Sequence, residues 1–516
     1  MANQIPSQYF EQFKGIREFN GVNYGGQISA ISAKNVELFK TDIGNGTGIR
    51  TVSGDKLFIS LPDGYKAIKN FTSIQSGVSY MFIYGENDTK GTLFYVDVLG
   101  TLKTIVDGLS VTGQCNGLTM QYGEFDLFVF TNGKDAKTVC FDQTEQVRTI
   151  TAVDNKNRTI KWLSMDEWNG SLVVASQYGV HASHKNDLYT WNDTVNGTED
   201  SWYIDFGKKV TAVKTFSTGL FIFTADDISH LNTTPNDTSN AILKDVAMNG
   251  CFSFESLVSH DTFLFFYDEK QKGIFYIQMT DTGQTRPTGP VSKEVQSFMT
   301  GDIKTFKMYS CVYSTFNEIW LLIDDRVLIY DYINQEFVER VMPTINGLCM
   351  YKNRPYVCGN DGKIKAEKVS ETFEGVYYPA EYKTSIINMG SNSNMKKQKT
   401  PILLVLNENF TNNFYVELTA NFKTKNPKKV KVKVFNEGIW APEGDVEAIE
   451  ITPNMKWDEA FWASEDYYKK RVIEISTPQT WYTMSLRFFT QEVGDGFNIV
   501  AMEMKRLKEK TKTKGR

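Results

Sequence analysis

Glu318-Ile-Trp-Leu-Leu-Ile323, Asp324-Asp325, Arg326-Val-Leu-Ile-Tyr-Asp331 and Gln335-Glu-Phe-Val-Glu-Arg340 follow one another along the chain. Two dense apolar runs joined by a two-residue Asp turn, then a third run of alternating character, predict three antiparallel strands in a meander. Such a ribbon has two apolar faces and cannot cover both by itself, so it calls for neighbours of the same kind.

Those neighbours recur along the sequence. Ser79-Tyr-Met-Phe-Ile-Tyr84, Asp126-Leu-Phe-Val-Phe130, Ser171-Leu-Val-Val-Ala175, Gly219-Leu-Phe-Ile-Phe-Thr224, Thr262-Phe-Leu-Phe-Phe-Tyr267, Glu318–Ile323 and Arg354-Pro-Tyr-Val-Cys358 each set a turn or polar residue ahead of an apolar strand. Their starts lie 47, 45, 48, 43, 56 and 36 residues apart, a mean of about 46. A four-stranded propeller blade takes roughly 40–50 residues. Seven runs predict a β-propeller of about seven blades over residues 55–368, with six or eight allowed by the uneven gaps. The competing reading is an irregular pair of β-sandwiches.

The rhythm changes after about residue 370. Ile402-Leu-Leu-Val-Leu406, Phe414-Tyr-Val-Glu-Leu-Thr-Ala420, Val430-Lys-Val-Lys-Val-Phe435, Arg471-Val-Ile-Glu-Ile475 and Thr483-Met-Ser-Leu-Arg-Phe-Phe489 predict an additional β-sandwich-like domain over 369–504. The strict Val/Lys alternation separates an apolar from a charged face. Residues 1–54, with turn signals at Tyr24-Gly-Gly26 and Asn45-Gly46, read as an extended N-terminal arm. Residues 505–516 read as a basic, solvated tail. Its Lys505, Arg506, Lys508, Lys510, Lys512, Lys514 and Arg516 are candidate contacts for DNA or an acidic partner.

The whole chain has 516 residues, 41% hydrophobic and 23% charged, which suits a globular protein with ample core. Its 35 Phe and 25 Tyr favour half-buried pleated surfaces, giving an all-β class. A net charge of −5 argues against a protein that grips nucleic acid along its surface, yet leaves room for a conduit through which a polyanion slides. Met1-Ala-Asn-Gln-Ile-Pro6 lacks the basic start and apolar run of a secretory signal, and no run is long enough to span a bilayer. Synthesis in a cytoplasm and no stable membrane association are therefore expected. Sequons such as Asn45-Gly-Thr47, Asn87-Asp-Thr89 and Asn236-Asp-Thr238 then carry no glycan.

Residues with reactive side chains are sparse. Cys115, Cys140, Cys251, Cys311, Cys349 and Cys358 are scattered without a C-x-x-C pair, as buried free thiols would be. His181 and His184 have a ligand-like spacing but lie in turn and strand with no third ligand in view. Asp226-Asp227 and Asp324-Asp325 are paired carboxylates at hairpin turns, where turn-forming Asp is ordinary. Thr280-Asp-Thr-Gly-Gln-Thr285 partly matches the repeated turn of propeller sialidases, but it occurs once and lacks the Trp. No nucleophile elbow or phosphate-binding loop is present. The reading is no enzyme, no catalytic residue, no cofactor and no metal.

Residues 200–300 resemble the tail hub proteins of short-tailed bacteriophages, also called nozzle or packaged-DNA stabilisation proteins. The resemblance is carried by Trp202-Tyr-Ile-Asp-Phe-Gly207, Val210-Thr-Ala-Val-Lys214, Gly219–Thr224, Asp227-Ile-Ser-His-Leu231, Asp245-Val-Ala-Met-Asn-Gly250, Ser253-Phe-Glu-Ser256, Leu264-Phe-Phe-Tyr267 and Gly273-Ile-Phe-Tyr-Ile277. Asn35-Val-Glu-Leu38 with Arg50-Thr-Val-Ser-Gly54 is similar to that family's N-terminal opening, and Asp495–Met504 to its closing strand. The resemblance implies a propeller with an added platform, assembled as a homo-oligomeric ring, a hexamer in that family. The ring would sit in the virion tail, against portal or adaptor proteins, with fibres or spikes outside and phage DNA passing through. A receptor- or polysaccharide-binding propeller adhesin is the alternative, and a propeller glycoside hydrolase the next.

Overall fold

The computed structural model describes the chain apart from residues 1–3, 6–7, 19–21, 24–26, 42–45, 143–145, 155, 178, 192–200, 218, 234–242, 281–282, 285–286, 371–375, 388–394, 399–400, 408–411, 422–427, 433–470, 476–479, 505–506 and 511–516. Tyr24-Gly-Gly26, the Asn45 end of its turn, the Asn236–Thr238 sequon, half of the sialidase-like turn and the Lys433–Phe435 end of the Val/Lys strand lie outside the described residues. The described chain is almost wholly β, with one short α-helix, Gln296–Met299.

The chain divides into two compact units. Residues 55–327 and 343–367 form the propeller unit, and residues 1–54, 328–342 and 368–516 form the other.

Six separate four-stranded antiparallel sheets make the blades. The first comprises Lys66–Gln75, Val78–Glu86, Gly91–Val96 and Leu102–Leu109; the second, Asn116–Tyr122, Phe125–Thr131, Ala136–Val139 and Val147–Thr149. The third runs from Met165–Trp168 to Trp202–Asp205, the fourth from Val210–Phe216 to Leu243–Ala247, and the fifth from Leu257–His260 to Gly283–Gln284. The last blade joins Ile345–Tyr351, Arg354–Gly359 and Lys363–Ser370 to Gly54–Ser60, a strand from nearly 300 residues earlier, which closes the wheel.

Six of the seven apolar runs are the second strands of these blades. A second strand is paired on both edges and packed on both faces, which is why it reads as unbroken apolar sequence and not as alternation. The cores lie between blades: Phe82 of the first stacks on Phe128 of the second at 4.0 Å, and Phe223 of the fourth meets Phe266 of the fifth at 5.6 Å. Asn169 and Gly170, both at positive φ, make the tight hairpin before the third blade's apolar strand, the conformation that Asn-Gly pairs favour.

The count of separate blades is six, against the seven expected. The seventh run lies in Phe316–Ile323, which pairs in full register with Phe306–Tyr313. After the Asp324-Asp325 turn the chain leaves the propeller unit within Arg326–Asp331, so this meander does not finish as a free-standing blade.

Residues 1–54 are not an extended arm. Gln27–Lys34 pairs antiparallel with Glu381–Thr384 and parallel with Gln12–Ile16. Thr47–Thr51 is bound between Val36–Lys40 and Asn498–Met504. An apolar strand such as Gln27–Lys34, with Ile28, Ala30 and Ala33 fully buried, gains more from a sheet than from solvent. The predicted C-terminal strands are present and central: Ile402–Leu406 lies between Arg471–Ile475 and Asn498–Met504, and Phe414–Ala420 between Lys428–Val432 and Met484–Phe489. Residues 328–342 belong to this unit because buried Glu336 accepts hydrogen bonds from Gly15 N at 3.0 Å and Arg17 Nη2 at 2.7 Å. Asn35, at φ 51°, accepts from Val341 N and donates to Pro379 O, tying three stretches of sequence together.

The basic tail is also partly structured. Leu507–Lys510 is a strand between Gln4–Ile5 and Met395–Gln398, so the backbones of Lys508 and Lys510 belong to a sheet. Lys505, Arg506, Lys512, Lys514 and Arg516 lie outside the described residues.

Candidate functional site: a cationic cavity in the propeller

First strands of the blades converge on the interior of the wheel. Lys69, on the first blade, reaches Glu255 at 3.2 Å, and Lys307 meets the same carboxylate at 3.6 Å. The Lys69 ammonium also lies over the rings of Phe71, Phe254 and Tyr309 at 5.5, 5.5 and 5.8 Å. Lys307 Nζ and Tyr309 Oη donate to the carbonyl of Asn346, whose own amide donates to Ala67 O at 2.8 Å. One carboxylate thus neutralises two ammonium groups while the last blade is bonded to the first. Burial pushes the Tyr309 phenol up and also raises the neighbouring thiols, Cys115 strongly and Cys358 to about 12. Thiols so raised stay protonated and unreactive.

A cavity of about 290 Å³ opens beside this cluster. It is built from the residues just ahead of successive first strands: Gln114, Lys161 to Ser164, Lys209 to Thr211 and Phe252 to Phe254, with Ala175 to Gln177 along one side. Lys161 and Lys209 bring two positive charges, and no Asp or Glu among the described residues lines the space. Trp162, Phe252 and Phe254 supply apolar wall. The hydroxyls are oriented by the fold: Ser164 Oγ accepts from Val213 N at 2.8 Å, whereas Ser176 Oγ donates to Gly179 O and Thr211 Oγ1 to Phe223 O.

The residues singled out in the sequence do not gather here. His181 is buried on Gly179–Ala182, hydrogen-bonded to Ser176 Oγ at 2.9 Å and stacked on Tyr203 at 4.5 Å. Burial lowers its pKa to about 4, so it is neutral at pH 7. His184 lies in the following turn with Nδ1 against Lys185 O, and His260 Nδ1 bonds Ser310 Oγ. Asp226 pairs with Lys270 and Asp227 with Lys208, while Asp324 Oδ1 accepts from the amides of Lys304 and Thr305. The described residues contain no group of three or more His, Cys, Asp or Glu that could hold a metal ion. All six cysteines are buried free thiols. No described helix is long and apolar enough to cross a membrane.

Sequence reading missed Lys161 and Lys209 because nothing in their composition marks them. Their common feature is position ahead of a blade's first strand, one residue for Lys209 and four for Lys161, and that register appears only once the blades are aligned by structure.

No family model matches the chain, and no curated protein matches it. Solved structures similar to it include the computationally designed Ika8 protein, at 11% identity over 61% of this chain and 100% of that one, with a TM-score of 0.35. BBS1N in complex with ARL6DN is 10% identical over 62% of this chain and 98% of that one, with a TM-score of 0.41. The N-terminal domain of Nup159 is 11% identical over 65% and 98%, with a TM-score of 0.34.

Proposed function

We propose that this protein is a virion structural subunit of the tail hub or nozzle of a short-tailed bacteriophage. Copies arranged as a ring extend the portal channel, meet an adaptor ring, carry fibres or spikes outside, and retain packaged DNA until ejection. The observation that carries the reading is a closed wheel of blades inserted, along the sequence, into a second β unit made from both ends of the chain. The sequence resemblance implies that combination of propeller and platform. Chemistry is consistent with building material: the carboxylates of the Asp226-Asp227 turn each have a lysine partner, and burial raises the thiols. Closed sheets protect their strand edges, so they resist deformation and unwanted pairing.

Light scattering and negative-stain imaging of the purified full chain test the reading. The expected particle is a ring with an axial hole, six-membered by resemblance. A protein that stays monomeric and hydrolyses a glycoside would overturn it.

A further inference from the structure

We infer that the 290 Å³ cavity is a binding site for a single carboxylated sugar ring, a uronic or sialic acid unit of a glycan. The argument begins with charge inside a cavity. Some lysines of these blades are neutralised: Lys208 by Asp227, Lys214 by Asp166 at 3.0 Å, Lys69 by Glu255. Among the described residues Lys161 and Lys209 have no carboxylate partner, and none of the described residues lining their cavity is Asp or Glu. Two unneutralised ammonium groups on a concave wall hold an anion, and a carboxylate suits their point-like donors.

Hydroxyl chemistry selects the body of the ligand. Ser164 Oγ uses a lone pair on Val213 N–H, which leaves its own proton to donate. Thr211 uses its proton on Phe223 O, which leaves lone pairs to accept, while Ser176 Oγ is already shared between Gly179 O and His181 Nε2. Gln114 and Gln177 add side-chain amides to the lining. A wall offering both donors and acceptors matches ring hydroxyls, which are both. Phe252 and Phe254, both half-buried, provide apolar surface for the C–H face of a pyranose. The volume sits at the lower end of small-molecule sites, roughly 300–1,000 Å³, which suits one ring. A nucleotide fits less well. Phosphate cradles are made from free backbone N–H groups, and the amide of Gly133, a glycine in the lining, is already bonded to Thr131 Oγ1 at 3.0 Å.

The site stands independently of the hub reading and tests separately from it. Isothermal titration and saturation-transfer NMR on the full chain would compare methyl β-glucuronide and the α-methyl glycoside of N-acetylneuraminic acid with methyl β-glucoside and AMP. At least one of the two acidic sugars is expected to bind in preference to both methyl β-glucoside and AMP, and added salt should weaken that binding. Lys161→Gln and Lys209→Gln, both at exposed positions, should each weaken it about tenfold while the melting temperature stays unchanged. Failure of both acidic sugars to bind overturns the proposal. So does equal binding of the neutral sugar, preference for AMP, or binding that neither lysine substitution alters in a protein that melts normally.

Discussion

His181 makes a buried side chain into a pH-dependent liability. Its ring is enclosed on a strand in which every residue is buried, and burial outweighs the pull of Asp154 and Asp205, which act to raise its pKa. The folded value of about 4 lies below the ordinary 6.5. Between those pH values the unfolded chain takes up a proton that the folded chain refuses, so stability falls as pH drops through 6.5 and levels off below 4. The full loss is about 3 kcal/mol at about 1.4 kcal/mol per unit. His181→Gln keeps a hydrogen-bonding group for Ser176 and removes the titration. Urea midpoints at pH 7.5, 5.5 and 4 should therefore converge for the variant relative to the wild type, and parallel profiles would exclude His181 as the origin. His260, also lowered by burial, adds acid sensitivity of the same sign. Residue identity was legible where local chemistry decides: the Asp pairs are turn residues and the cysteines are buried. The environment of His181 was not legible, because its burial comes from packing across the third blade.

Apolar runs announced the second strands of the blades because those strands are enclosed on both faces, a condition that sequence records directly. First strands are only half apolar. Lys69 lies on the first blade's first strand and Lys307 on Phe306–Tyr313, and their shared partner Glu255 sits 186 residues from Lys69, a separation that no periodicity encodes. The three side chains are each less than one-fifth exposed, so removing the shared carboxylate leaves two ammonium groups facing each other with little water. Glu255→Ala should cost about 2–4 kcal/mol, less than a fully buried pair, measured by urea unfolding. Replacing all three residues by Met should recover most of that loss, since an apolar cluster needs no neutralisation. A triple variant as weak as Glu255→Ala would show that the ion cluster itself, and not merely its balance, ties the first blade to the entry of the fifth and to Phe306–Tyr313.

At the scale of the molecule, the sequence marks the points where strand rhythm changes, and residues 55 and 368 fall at or beside the unit boundaries. It does not mark the excursion of residues 328–342, because the meander there is continuous with its neighbours and only long-range pairing decides which unit receives it. Phe337 and Val338, 3% and 5% exposed, lie in the segment that Gly15 approaches so closely that a Cβ there would stand 2.3 Å from Phe337 O. Cutting away residues 1–54 and 368–516 therefore uncovers apolar strand, while five blades stay whole and the last loses only Gly54 and residues 368–370 from its strand ends. A fragment of residues 55–367 should unfold cooperatively in calorimetry yet self-associate in light scattering, and Phe337→Ser with Val338→Lys should return it to a monomer. A fragment that begins at residue 61 loses the strand that closes the last blade and leaves the edge of Lys363–Ser370 open, so it should show no cooperative transition. If both fragments melted alike, closure by Gly54–Ser60 would be a minor contact, and the wheel would owe its stability to interblade packing alone.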